Sequence, residues 1–147
     1  MRLPTISAAI LSLGLVTVAN SYDAEDVLAT VQGTWGWAEG NFACEDGGSI
    51  IDVSSDRQRL TITFANPIEM YDGKSVTVTG YDILAVDDTG VNLKMDNETR
   101  AHEGVLLTWR IQLDGNDRYF WEALEAKAKD GVTGRDYWSW GPIERCQ

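Results

Sequence analysis

The sequence predicts an all-β fold, an up-and-down antiparallel β-barrel of about eight strands with a short N-terminal helix. Three observations carry this. Apolar residues recur with a period of two through most of the chain, the spacing of strands rather than helices. Gly- and Asp-rich turns break that alternation at intervals of roughly 8 to 12 residues. The turns are too short for crossover connections, so successive strands pair antiparallel, and eight in simple succession close into a barrel without exposed edges.

The helix is expected over "SYDAEDVLATVQG", with Asp23 as its cap, Glu25 and Asp26 in its first turn, and Val27, Leu28 and Val31 on one side. Gly33 ends it. A first strand follows around Trp35 and Trp37, and another around Ile50 to Val53. Leu60, Ile62 and Phe64 then alternate with Arg59, Thr61 and Thr63, and Val76 and Val78 with Ser75, Thr77 and Thr79. Gly80 is expected to be a bulge, after which Tyr81, Ile83 and Ala85 continue inward. Asp87 to Gly90 make a turn into Val91, Leu93 and Met95. Val105, Leu107, Trp109, Ile111 and Leu113 form the next inward row, and Asp114 to Asp117 turn the chain into "RYFWEAL". The last strand runs around Tyr137 to Trp140. "EALEAKAKDG", Glu122 to Gly131, has helical composition and reads as a short helix or a lid-like excursion.

Met1 and Arg2, an apolar run from Ile6 to Val18 and the small residue Ala19 have the layout of a secretory signal peptide spanning residues 1–19. Its apolar run is short for a membrane span. Residues 20–147 then form a single domain, periplasmic or secreted, with no membrane span in the mature chain. The formal net charge of −11 repels nucleic acid and anionic membrane surfaces, and a monomer with a solvated acidic surface is expected. Cys44 and Cys146 form an even pair, which in an oxidising compartment reads as a disulfide. Two thiolates and a distant His102 make a weaker metal site.

Catalysis is not expected. His102 lies alone in the polar stretch "ETRAHEG", and "GGS" and "VSSD" lack a nucleophile elbow. Neither a P-loop nor a dinucleotide fingerprint occurs, and no cofactor is implied. "DVSSD" and "DGND" lack the glycine and distal glutamate of an EF-hand loop, so no metal site is assigned. "NET", Asn97 to Thr99, is a glycosylation acceptor only in a eukaryotic secretory path.

What remains is an apolar interior. Trp37, Trp109, Trp121, Met95 and Leu107 are the candidate ligand-binding residues, with Trp138 or Trp140 added by strand position. An eight-strand barrel is the size at which side chains either fill the inside or leave room for one small ligand.

Gly33, Thr34 and Trp35 on the first strand, after a short helix and before an eight-strand meander, resemble the Gly-x-Trp motif of the lipocalins and the wider calycin group. The resemblance implies that Trp35 closes the barrel floor and that an Arg after the last strand, Arg145 or in reserve Arg135, packs over its face as a cation–π pair. Asn116, Asp117, Arg118 and Tyr119 echo the family's polar turn between its sixth and seventh strands. The bridge departs from the family pattern, since Cys44 follows the first strand, and no long helix follows the last. The layout also resembles the secreted bacterial metalloprotease inhibitors, small barrels with one disulfide. Two functions follow as expectations. One is an exported lipocalin-like binding protein for a small hydrophobic or amphipathic ligand. The other is a protein-binding module, such as a hydrolase or protease inhibitor with a solid core, using Glu39 to Gly48 and Glu122 to Gly131 as contact loops.

Overall fold

A computed structural model describes residues 23–37, 42–70, 72–98, 106–127, 133–134 and 138–147. The expected leader at 1–19, Thr99 of "NET", His102, Val105 and Arg135 lie outside the described residues, as do 39–41 and 128–131 of the two expected contact loops. Helix α1 (Ala24–Val31) leads into β1 (Gly33–Trp37), a 3-10 turn at Cys44–Asp46 and β2 (Ser49–Val53). The meander continues as β3 (Arg59–Glu69), β4 (Ser75–Asp87), β5 (Gly90–Met95), β6 (Leu106–Leu113) and β7 (Arg118–Lys127). Two residues of β8 (Thr133–Gly134) pair only with β7, and β9 (Trp138–Arg145) lies between β7 and β1. Strands β1 to β7 and β9 therefore form a closed eight-strand antiparallel ring.

The alternation decides which side chains enter the ring. Val27, Leu28 and Val31 of α1 are buried, and they join Trp35, Ile51, Leu60, Leu93 and Ile111 at the end where the helix packs. Burying each such large apolar side chain contributes about 1.5–3 kcal/mol, so this end is the stable centre of the fold. Asp23 occupies the expected N-cap position, but its carbonyl accepts from Val27 N at 3.0 Å and its side chain makes no cap bond.

Three expectations are corrected. Val78 points outward at 52% exposure, Val76 is half-buried, and Thr79 is buried opposite Ile62. The cause is that β4 runs without a bulge at Gly80. The register shifts fall instead between Thr63 and Ile68 on β3 and between Ile83 and Ala85 on β4. Leu84 and Ala85 are consequently exposed, and Val86 takes the inward place beside Val91. Gly80 serves the outer wall: a Cβ there would lie 2.5 Å from Asp96 Oδ2, where Arg59 pairs with both Asp82 and Asp96. Lastly, Glu122 to Lys127 are strand, not helix. Pairing with β6, β8 and β9 overrides their helical composition.

Outside the ring, Arg110 on β6 binds across the β4–β5 hairpin. Its guanidinium donates to Asp87 Oδ1 and Oδ2 at 2.8 and 2.9 Å, to Asn92 Oδ1 at 2.8 Å, to Thr89 Oγ1 at 2.7 Å and to Gln112 Oε1 at 2.7 Å. These bonds satisfy a nearly buried cation, as its burial requires. The Arg110 hydrogen bond, helped by the Thr89 amide and hydroxyl, holds the Asp87 carboxyl well below the usual range.

Cys44 and Cys146 form the expected disulfide, across 102 residues. It lies on β1: a Cβ at Gly36 would stand 2.5 Å from Cys44 N and 2.8 Å from Cys44 Sγ. Only glycine admits the bridge there. Closing a loop of that length removes about 4.7 kcal/mol of unfolded-chain entropy in the loop-closure account.

Two outcomes follow. Replacing both cysteines by alanine should lower unfolding free energy by about 2–5 kcal/mol, read by urea titration; an unchanged midpoint would contradict the bridge's stabilising role. Because Asp87 titrates lower folded than unfolded, its contribution is complete above the unfolded carboxyl value of about 3.9 and is lost as pH falls below it. Asp87→Asn should therefore lower stability at pH 7 and flatten the loss between about pH 5 and 2, and an equal acid slope in both proteins would refute the clamp.

Candidate functional site

The two ends of the ring differ. Strand directions place α1, the β4–β5 and β6–β7 hairpins and the end of β9 at one end, and the β3–β4 turn and the β5–β6, β7–β9 and β1–β2 connections at the other. The first end is sealed by Trp35. Fully buried, it donates from Nε1 to the Val31 carbonyl at 2.8 Å and meets Tyr119 edge-on at 4.9 Å.

Arg145 is the direct cross-strand partner of Trp35, and its guanidinium carbon lies 4.2 Å from the indole centroid. The same guanidinium donates to the carbonyls of Thr30, Gln32 and Asn116, the latter two at 3.1 Å. Thr30 and Gln32 belong to the C-terminal turn of α1, where carbonyls lack helical partners and a cation is favoured by the dipole. Gly33 makes this possible: its φ is +130°, and a Cβ would fall 2.7 Å from Arg145 Nη1. Gly33, Trp35 and Arg145 thus come together, and the turn at Asn116 to Tyr119 joins them.

The opposite end is hollow. A cavity of about 400 Å³ falls within the range of small-molecule sites. Its walls carry Trp37, Met95, Trp109 and Trp121, four of the five residues singled out from the sequence. Leu107, the fifth, is buried in the core but does not line the cavity. Of the two alternatives on β9, Trp140 is on the wall.

Tyr81, Trp109, Trp121 and Trp140 form one cluster of rings. Trp109 and Trp121 stack at 5.6 Å with planes inclined by 22°, and Trp109 and Trp140 lie 5.9 Å apart at 30°. Tyr81 meets Trp121 edge-on at 5.5 Å, and Phe42 meets Phe64 likewise at 6.1 Å. Such geometries are the favoured ones for quadrupolar rings. Trp140 is 38% exposed and stands at the mouth.

Polar groups on the wall are few: Ser49, Glu69, Glu98 and the two tyrosines. Glu98 Oε2 accepts from Trp109 Nε1 at 2.8 Å. Burial pushes both phenols, Tyr81 and Tyr119, well above their ordinary range, with Glu98 and Asp96 adding to the shift at Tyr81. Both tyrosines are therefore neutral at physiological pH. Among the described residues, the wall holds two glutamates and no Lys, Arg or His.

Sequence reasoning missed Phe42, Ile68, Met70 and Glu98. Phe42 and Glu98 lie off the strands, and Ile68 and Met70 follow the β3 irregularity, so no period marks any of them. Among the described residues no helix is long and apolar enough to cross a membrane. Compared with family models, curated proteins and solved structures, the chain has no match. Fold and site together define a closed antiparallel barrel, plugged at one end and hollow at the other.

Replacing Arg145 with methionine keeps an apolar stem over Trp35 but strips three carbonyls of their donor. The expected cost is about 1–3 kcal/mol, measured by thermal and urea unfolding; a stability change within experimental error would remove Arg145 from the floor's support.

Proposed function

We propose that this is an exported lipocalin-like binding protein whose barrel holds a small hydrophobic or amphipathic ligand at its open end. The observation that carries the reading is the aromatic-walled cavity of about 400 Å³ above a sealed floor. Apolar walls with a few placed polar groups are the usual form of a small-molecule site. The floor supports the lipocalin-like likeness, since Gly33, Trp35 and Arg145 meet with the cation over the indole. Export is supported by the leader-like residues 1–19 and by the Cys44–Cys146 bond, which suits an oxidising compartment. The reading is of a monomeric carrier, not an enzyme. The inhibitor alternative places function on loops around a solid core, and the cavity favours the first reading over it.

Ligand entry next to Trp37, Trp109, Trp121 and Trp140 alters the surroundings of four of the six tryptophans. Titration with the neutral apolar probe N-phenylnaphthylamine should quench or shift tryptophan emission saturably, while probe fluorescence rises. Met95→Trp, which fills the cavity, should weaken this at least tenfold. Emission that stays constant up to saturating probe would overturn the reading.

A further inference from the structure

Resting on the reading of the cavity as a ligand site, we infer that its ligand is a cation: a quaternary or protonated amine on an apolar tail, with the nitrogen seated against Trp109, Trp121 and Trp140 beside Glu98. Three independent features of the wall point to this chemistry.

The first is the ring cluster. Trp109 lies within 6 Å of both Trp121 and Trp140, so three indoles form a row. Indole has the strongest negative face among the side chains, and a cation within about 6 Å of a ring centroid gains roughly 0.5–2 kcal/mol, most where water is excluded. Indoles lining a pocket offer the electron-rich surface that recognises quaternary ammonium groups, and a ligand nitrogen would lie against this row and not between its rings.

The second is the position of Glu98. Its carboxylate receives the Trp109 N–H at 2.8 Å, so a negative charge is fixed at the edge of the central indole. A hydrogen bond from N–H to carboxylate pushes electron density into the ring and deepens the negative potential of its faces. The nitrogen of a ligand there meets a carboxylate and an enriched ring together.

The third is the sign of the other described residues on the wall. Glu69 stands with Glu98 among the lining residues, the tyrosines are neutral, and no described lining residue carries a positive charge. A fatty acid or alkyl sulfate would bring a like charge into a partly desolvated space already holding carboxylates, which is unfavourable. The protein's charge of −11 further draws cations towards it at low salt.

The test compares three amphiphiles with one tail, each below its micellar concentration, by calorimetric titration of the oxidised protein: decyltrimethylammonium, the neutral decyldimethylamine N-oxide and decyl sulfate. The cation should bind roughly tenfold tighter than the N-oxide, and the sulfate weakest. Glu98→Gln keeps an acceptor for Trp109 and should erase most of the cation's advantage while leaving N-oxide affinity unchanged. Asp88→Asn removes the same charge from the hairpin at the sealed end and should change neither; equal losses from both variants would overturn the local site in favour of general attraction. Equal affinity for all three amphiphiles, or preference for the sulfate, would overturn the cationic inference and leave the cavity reading standing. Binding of none would overturn both. Glu98→Ala is the second variant should Glu98→Gln unfold, and a cation preference that survives it unchanged would then refute the role of Glu98.

Discussion

The contact of Arg145 with Trp35 is the constraint on which the rest of the structure depends. It joins the first strand to the last at directly opposed positions, and it ties both to the helix through the carbonyls of Thr30 and Gln32. A guanidinium held over an indole needs room, and Gly33 provides it where any side chain would collide. The plug, the helix seat and the ring closure are therefore one interaction seen from three sides. Glycine, tryptophan and arginine are each required by a different part of its geometry.

The division of the barrel follows from that anchoring. At the sealed end the helix supplies Val27, Leu28 and Val31, and the interior is filled. Helix α1 does not reach the other end, where strand residues together with Phe42, Met70 and Glu98 line the ring. The strand and loop side chains there leave a space of about 400 Å³ unfilled. The hollow is thus a product of one-sided filling in a ring of this size.

Strands facing a core on one side and water on the other were legible because their period is two. Leu60, Ile62, Leu93, Met95, Trp109 and Ile111 all lie inward as the alternation requires. The helix face, Val27, Leu28 and Val31, was legible from the helical period of 3.6. Failures occurred where pairing irregularities changed the parity. A shift at Leu84 is invisible in composition, whereas Gly80 invites the assignment of a bulge; in fact it is small to make way for Asp96 and Arg59. Glu122 to Lys127 misled differently: residues with good helix propensity are held as strand by neighbours distant in sequence. At the candidate site, Trp37, Trp109, Trp121 and Met95 were legible as strand residues of known parity. Glu98 and Phe42 were not, since a residue off the strands is placed by tertiary packing alone.

The bridge between Cys44 and Cys146 also decides what the chain is unable to do. Its sulfurs join the segment after β1 to the residue following β9, across the seam where the ring's first and last strands meet. A barrel without such a fastening can release its terminal strand and accept the same strand from a second molecule, the route to swapped dimers and to edge-on association. Here strand exchange would require cutting a covalent bond. Oxidation therefore acts as a lock on topology, committing each molecule to complete itself with its own last strand.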